Sequence, residues 1–188
     1  MLQIDSESGL VREARQVPSP NCDDRPPDCE PDLIVIHGIS LPPGEFGGQW
    51  IDRLFTNCLD SSEHPYFQEI SGLRVSSHLL VRRDGELVQY VPLKKRAWHA
   101  GDSCYKDRNQ CNDFSIGIEL EGADTIPYTD KQYDVLCTTI AALRVAVNSL
   151  RRAPIVGHND IAPDRKTDPG PSFDWKRFRA QLAKASAA

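Results

Sequence analysis

Leu33-Ile34-Val35-Ile36 is an unbroken apolar run that begins where a proline-dense segment stops. Residues 18–31 hold Pro18, Pro20, Pro26, Pro27 and Pro31, five of the fourteen prolines in the chain. Proline lacks a backbone N–H and fixes φ, so this density excludes helix and paired central strand. It predicts an extended strap leading into the fold. The run that follows has no polar alternation and predicts a strand covered on both faces. His37 ends that run, which puts an imidazole at the mouth of a central strand, where open α/β sheets bind their ligands.

The remainder reads as strands with interspersed helices, a mixed α/β domain. Pro42-Pro43-Gly44 and Gly47-Gly48 break the chain, and 49–57 suits a short helix. The polar stretch 60–71 reads as loop. Residues 75–82 and 86–91 flank Asp84-Gly85, a strong hairpin signal. Residues 115–121 alternate with period two: Ile116, Ile118 and Leu120 share one face, and Ser115, Gly117, Glu119 and Glu121 the other. Thr129 and Gln132 form a capping box for a helix carrying Tyr133, Leu136, Ile140, Leu143, Val147 and Leu150 at helical spacing. Its tail is basic (Arg144, Arg151, Arg152), as the helix dipole favours. A short extended piece, 154–156, precedes a loop over 157–171. A closing helix over 174–184 has Trp175, Phe178 and Leu182 on one side.

At 188 residues the chain has room for one domain and an appendage. The expected division is an N-terminal extension with its strap (1–32), a main domain (33–184) and a tail (185–188). Lys and Arg number 22 against 27 Asp and Glu, a net charge of −5 that leaves no basic excess for nucleic acid. No apolar run approaches the roughly 18 residues of a membrane span. The first residues show no basic segment followed by an apolar one, so a cytoplasmic protein is expected. The six cysteines include no C-x-x-C pair and are expected to be reduced.

Chemistry concentrates in two places besides His37. His158 follows Val156-Gly157, and Lys166-Thr167-Asp168-Pro169 comes shortly after. Lys166 and Asp168, two apart in an extended segment stiffened by proline, project to one side. Two imidazoles and a carboxylate would leave zinc an open position, the arrangement of a hydrolytic site. Spacing alone leaves Asp160, Asp164 and Asp168 competing for the third ligand.

The resemblance to a known family is carried by Ile36-His37, residues 41–48, His64-Pro65-Tyr66-Phe67, Arg96-Ala97-Trp98-His99-Ala100-Gly101, 112–122, Gly157-His158 and 165–175. Together these resemble the type 2 superfamily of N-acetylmuramoyl-L-alanine amidases, and within it the 1,6-anhydro-N-acetylmuramyl-L-alanine amidase type. The resemblance implies a central mixed β-sheet flanked by helices and one zinc ion (Zn2+) in a groove. It implies His37, His158 and Asp168 as ligands, Glu119 as catalytic carboxylate and Lys166 as electrostatic stabiliser. The implied reaction is hydrolysis of the amide between 1,6-anhydro-N-acetylmuramic acid and L-alanine of the stem peptide, in cytoplasmic cell-wall recycling. The substrate would be a soluble anhydromuropeptide and the enzyme a monomer, without nucleic-acid or membrane partners.

Glu119 fits that role physically, projecting from the polar face of its strand to take a proton from water and return it to the leaving amine. Glu121, on the same face, is its competitor. Trp98 could stack on a sugar ring, while Arg74 and Arg108 could bind carboxylates of the stem peptide. Tyr66 is a further candidate contact. His64 is expected in solvent and His78 in the core. The chain departs from the family pattern at Gly38, where asparagine is usual, and in lacking a tyrosine over 75–78. Three rivals remain at this level. They are a binding groove without hydrolysis, an iron oxygenase built on His158-Asn159-Asp160, and a cysteine hydrolase using Cys58 or Cys104.

Overall fold

The computed structural model describes residues 2–185; Met1 and 186–188, most of the expected tail, lie outside the described residues. Among the described residues ten strands and five α-helices are formed. The strands are β1 (Arg15–Gln16), β2 (Cys22–Asp24), β3 (Leu33–Ile39), β4 (Leu79–Val81), β5 (Leu87–Gln89), β6 (Lys95–Ala97), β7 (Cys104–Tyr105), β8 (Arg108–Asn109), β9 (Ser115–Glu121) and β10 (Ile155–Gly157). The helices are α1 (Trp50–Phe55), α2 (Pro65–Ile70), α3 (Asp130–Ala146), α4 (His158–Ile161) and α5 (Trp175–Ala185).

Six strands make one mixed sheet in the order β1-β5-β4-β9-β3-β10. Only the β4–β5 hairpin is antiparallel; β4, β9, β3 and β10 run parallel. Alternation along these strands sorts the side chains into two layers. Ile34, Ile36, Ile116, Ile118 and Leu120 pack under α3 and α5 with Leu136, Ile140, Leu143, Phe178 and Leu182. The opposite side of the sheet is covered in two parts. Leu80 and Val88 lie against Ile51, Leu54, Phe55 and Phe67 of α1 and α2, and Leu33 and Val35 against Ala100, Phe114 and Ile161. β3 is therefore buried on both faces, as its continuous apolar run predicts.

The polar face of β9 is buried as well. All seven of its residues are buried, so its alternation separates two interiors, one apolar and one polar. The N-terminal residues join the fold: β1 adds an edge strand beside β5 and Val11 lies in the α3–α5 core. The strap is extended as expected, and β2 within it pairs with β6.

The Thr129–Gln132 capping box forms, and Gln132 donates onward to the carbonyls of Val81 (3.1 Å) and Glu121 (2.9 Å), tying α3 to the ends of β4 and β9. Two expectations are corrected. Helix α3 stops at Ala146, because Val147 is extended, and Leu150 is buried from a separate 3-10 turn. Arg151 and Arg152 thus lie beyond the helix. The stretch 60–71 is not all loop. Pro65 opens α2, and His64 caps it by accepting the Tyr66 N–H on Nδ1 at 3.1 Å. Six residues are too few for helical periodicity to register in the sequence. Among the described residues no helix is long and apolar enough to cross a membrane.

Candidate metal centre

Strands β3, β9 and β10 end at the same edge of the sheet, and the candidate residues meet there. His37 sits beside Glu119 in register across the β3–β9 pair, and His158 begins α4 immediately after β10. Asp168 is brought to His158 by its backbone carbonyl, which accepts the Asn159 N–H at 3.0 Å. His37 Nδ1 and His158 Nδ1 are 2.9 Å apart, and Asp168 Oδ2 lies 3.3 Å from the first and 3.2 Å from the second. These three atoms form a candidate metal site.

The outer ring nitrogens are occupied. His158 Nε2 faces the Ala100 carbonyl at 3.2 Å and His37 Nε2 faces His99 Nδ1 at 2.8 Å. With those nitrogens donating, both Nδ1 atoms present lone pairs to one another and to a carboxylate, an arrangement that a cation resolves. Burial holds His37 neutral, pushing it down to about 4. Arg165 reinforces the arrangement, donating to the carbonyls of Ala100 and Asp102 at 2.7 Å each.

The centre opens into a cleft of about 520 Å³, also lined by Glu119, Lys166, Tyr66 and an apolar arm of Leu41, Leu54, Ile70 and Leu73. Glu119 is 8% exposed and its Oε2 is buried without a hydrogen-bond partner. Burial first, then the neighbouring Asp168, raises its carboxyl well above the usual range, while Lys166 acts in the opposite sense. Glu121 is committed elsewhere, accepting the N–H groups of Gly47 (2.6 Å) and Arg83 (3.1 Å) and meeting Arg82 at 3.4 Å.

The contest for the third ligand falls to Asp168. Asp160 accepts the Gly157 N–H at 2.7 Å, and Asp164 is exposed. Of the expected substrate contacts, Tyr66 lies on the cleft wall. Trp98, Arg74 and Arg108 do not. Trp98 is half-buried, just past the end of β6. Arg108 pairs with Asp32 at 2.8 Å and covers the Phe114 ring, and Arg74 is exposed. His78 is a core residue as expected, accepting the Gly117 N–H on Nδ1 (3.0 Å) with Nε2 3.0 Å from the Lys95 carbonyl. None of residues 18–31 lines the cleft. The side chains that sequence reasoning missed are His99 and Arg165; each lies in a stretch that carries the family resemblance, 96–101 and 165–175.

Gly38 is explained by Tyr128. A Cβ at position 38 would lie 2.5 Å from the Tyr128 hydroxyl, which donates to the Pro169 carbonyl at 2.9 Å. The next nearest atoms are Pro169 Cα at 3.6 Å and Asp168 Cβ at 3.8 Å, ordinary contact. Gly38→Ala should therefore cost about 1–3 kcal/mol, and Tyr128→Phe should remove most of that cost. Chemical denaturation of the two single variants and the double variant reads the coupling, expected at about 0.5–3 kcal/mol. Additive losses would contradict the contact.

Two histidines and an aspartate converging at the carboxyl edge of this sheet mark the chain as a protein with a candidate metal site. The family model for N-acetylmuramoyl-L-alanine amidase matches residues 27–171, and the chain belongs to that family. It is similar to the 1,6-anhydro-N-acetylmuramyl-L-alanine amidase AmpD of Escherichia coli K12, 60% identical over 95% of this chain and 97% of that protein. The Haemophilus influenzae protein of the same name is 48% identical over 95% and 97%. A crystal structure of a selenomethionine AmpD derivative superposes with a TM-score of 0.91 at 60% identity, covering 95% of this chain and 98% of the other. The Escherichia coli amidase AmiD, solved with the substrate anhydro-N-acetylmuramic acid-L-Ala-D-gamma-Glu-L-Lys, gives 0.58 at 25% identity over 86% and 65%.

Proposed function

We propose that the chain is a zinc amidase that cleaves the amide between 1,6-anhydro-N-acetylmuramic acid and the L-alanine of a stem peptide. It acts as a monomer on soluble cell-wall fragments in the cytoplasm. The observation that carries this reading is the convergence of the three acceptor atoms at 2.9–3.3 Å. Donors about 2.0–2.1 Å from a tetrahedral zinc ion stand about 3.3–3.4 Å apart, and three protein ligands leave the open position of a hydrolytic site. Bound there, zinc supplies Lewis acidity, lowering the pKa of water to about 7 and polarising a carbonyl.

The chain's own groups supply the rest. Glu119, beside His37, lines the cleft, and one of its carboxylate oxygens is buried without a hydrogen-bond partner. It takes the proton of the attacking water and passes it to the amine of L-alanine as the amide breaks. A carboxyl raised by burial holds a proton more readily than an ordinary one, which suits its return to the amine. The Lys166 ammonium, on the same wall, meets negative charge as it develops on the carbonyl oxygen. One such preorganised group is worth about 2.7–4 kcal/mol of barrier. Tyr66 and the apolar arm give the sugar and the first peptide residues a surface to lie against. The names of the AmpD relatives and the substrate held by AmiD support the anhydro sugar and the L-alanine bond.

Zinc-loaded protein incubated with an anhydro-N-acetylmuramyl tripeptide should release a peptide with a free L-alanine amino group, identified by mass spectrometry. Intact substrate, or cleavage at another bond, would contradict the assignment.

A further inference from the structure

His99 lies outside the ligand set, yet its surroundings are built around it. The residue is 8% exposed, and its ring stands edge-on to His37, with an interplanar angle of 86°. Its backbone is clamped, since the N–H groups of His99 and Ala100 both donate to Asn112 Oδ1 at 3.0 and 2.8 Å. Gly117 of β9 makes room for it. A Cβ there would lie 2.5 Å from His99 Cγ and 2.6 Å from its Nδ1.

The hydrogen bonds through this ring run in one direction. The Cys111 carbonyl can only accept, so Ser115 Oγ, 2.5 Å away, is the donor to it. Ser115 Oγ is then free to accept from His99 Nε2 at 3.0 Å, which leaves His99 Nδ1 as an acceptor. That nitrogen is 2.8 Å from His37 Nε2. The fixed carbonyl thus sets the tautomer of His99, and His99 sets that of His37.

We propose that His99 is a positioning residue for the metal centre. It accepts the Nε2–H of His37 and so holds His37 in the one neutral tautomer whose Nδ1 lone pair faces His158 and Asp168. This rests on the metal-centre reading given above. A ligand histidine commonly donates its second N–H to a carboxylate or a carbonyl, and loss of that partner costs about 10–100-fold in metal affinity. Here the partner is an imidazole, and its own orientation is secured by Ser115 and by the missing side chain at Gly117.

Two measurements on the full chain test this. In the zinc-loaded protein, imidazole nitrogen chemical shifts should place the proton of His99 on Nε2 and leave its Nδ1 bare; a proton on Nδ1 overturns the proposal. Zinc affinity, read by competition with a chromogenic chelator, should fall about 10–100-fold in His99→Leu. In His99→Asn, whose amide oxygen can replace Nδ1 as acceptor, it should stay within about threefold of the wild type. Equal losses in the two variants, or none in either, overturn the proposal, and if His99→Leu does not fold the nitrogen shifts decide it alone. Wild-type protein that takes up no zinc would sink the metal-centre reading itself. Tight wild-type binding with an unaffected leucine variant would sink only the role of His99.

Discussion

Glu119→Gln should lower amidase turnover about 10²–10⁴-fold while leaving zinc affinity close to that of the wild type and making the metal-free protein more stable at neutral pH. Glutamine keeps the shape of the side chain and cannot accept and return the proton. The stability gain has a separate cause. Glu119 is buried with an oxygen that nothing in the protein satisfies, and its carboxyl is raised well above the ordinary range. A carboxyl whose folded-state pKa exceeds its unfolded value favours the fold below the unfolded pKa. That contribution is lost as pH rises through the folded-state pKa. Above it, the folded chain carries a buried charge that glutamine does not. Thermal melts of the metal-free proteins should differ least at low pH and separate as pH rises through the raised folded-state pKa, with the variant higher. Wild-type turnover in the variant would move proton transfer to another group. Glu121 is poorly placed for it, being held by two backbone N–H groups and Arg82.

Asp168→Ala should abolish both metal binding and turnover, because it removes one of only three ligand atoms. The affinity loss should exceed the roughly 10–100-fold that follows loss of a hydrogen-bond partner outside the ligand set. A ligand that binds only the folded state at about 100 times its Kd adds about 2.7 kcal/mol, worth about 5–11 °C in Tm for a chain of this size. Zinc should therefore raise the Tm of the wild type by that amount and leave the alanine variant unmoved. Asp164→Ala should behave as the wild type, since that side chain is exposed and stands away from the cleft. A wild-type zinc response in Asp168→Ala would return the third ligand to Asp160 or Asp164.

The parts of the fold that follow from short-range pattern were legible in the sequence. The apolar run of β3, the alternation of β9 and the capping box of α3 each carry their own signature; β9 forms at its expected bounds and α3 starts at its box, though it stops short of Val147. Helix α2 has only a proline and two apolar residues to announce it, so it read as loop. The two buried faces of β9 were hidden for another reason: alternation tells one face from the other but not what covers either. At the site, the ligands were separable from their rivals only through the family resemblance. Asp160, Asp164 and Asp168 look alike until Asp160 is seen capping the start of α4. Trp98 and Arg108 looked like substrate contacts because aromatic and guanidinium groups suit sugars and carboxylates. Neither lines the cleft, and for Arg108 the cause is long-range, its pairing with Asp32. His99 itself depends on Cys111, Ser115, Gly117 and His37 meeting in space, and no sequence window contains that coincidence.

The most direct test of the central claim is a titration of metal-free protein with zinc while hydrolysis of an anhydromuropeptide is followed. Turnover should rise linearly from zero, reach its plateau at one zinc per chain and vanish again on chelation. Full activity in metal-free protein, or a plateau unrelated to that stoichiometry, would contradict a single ion held by His37, His158 and Asp168.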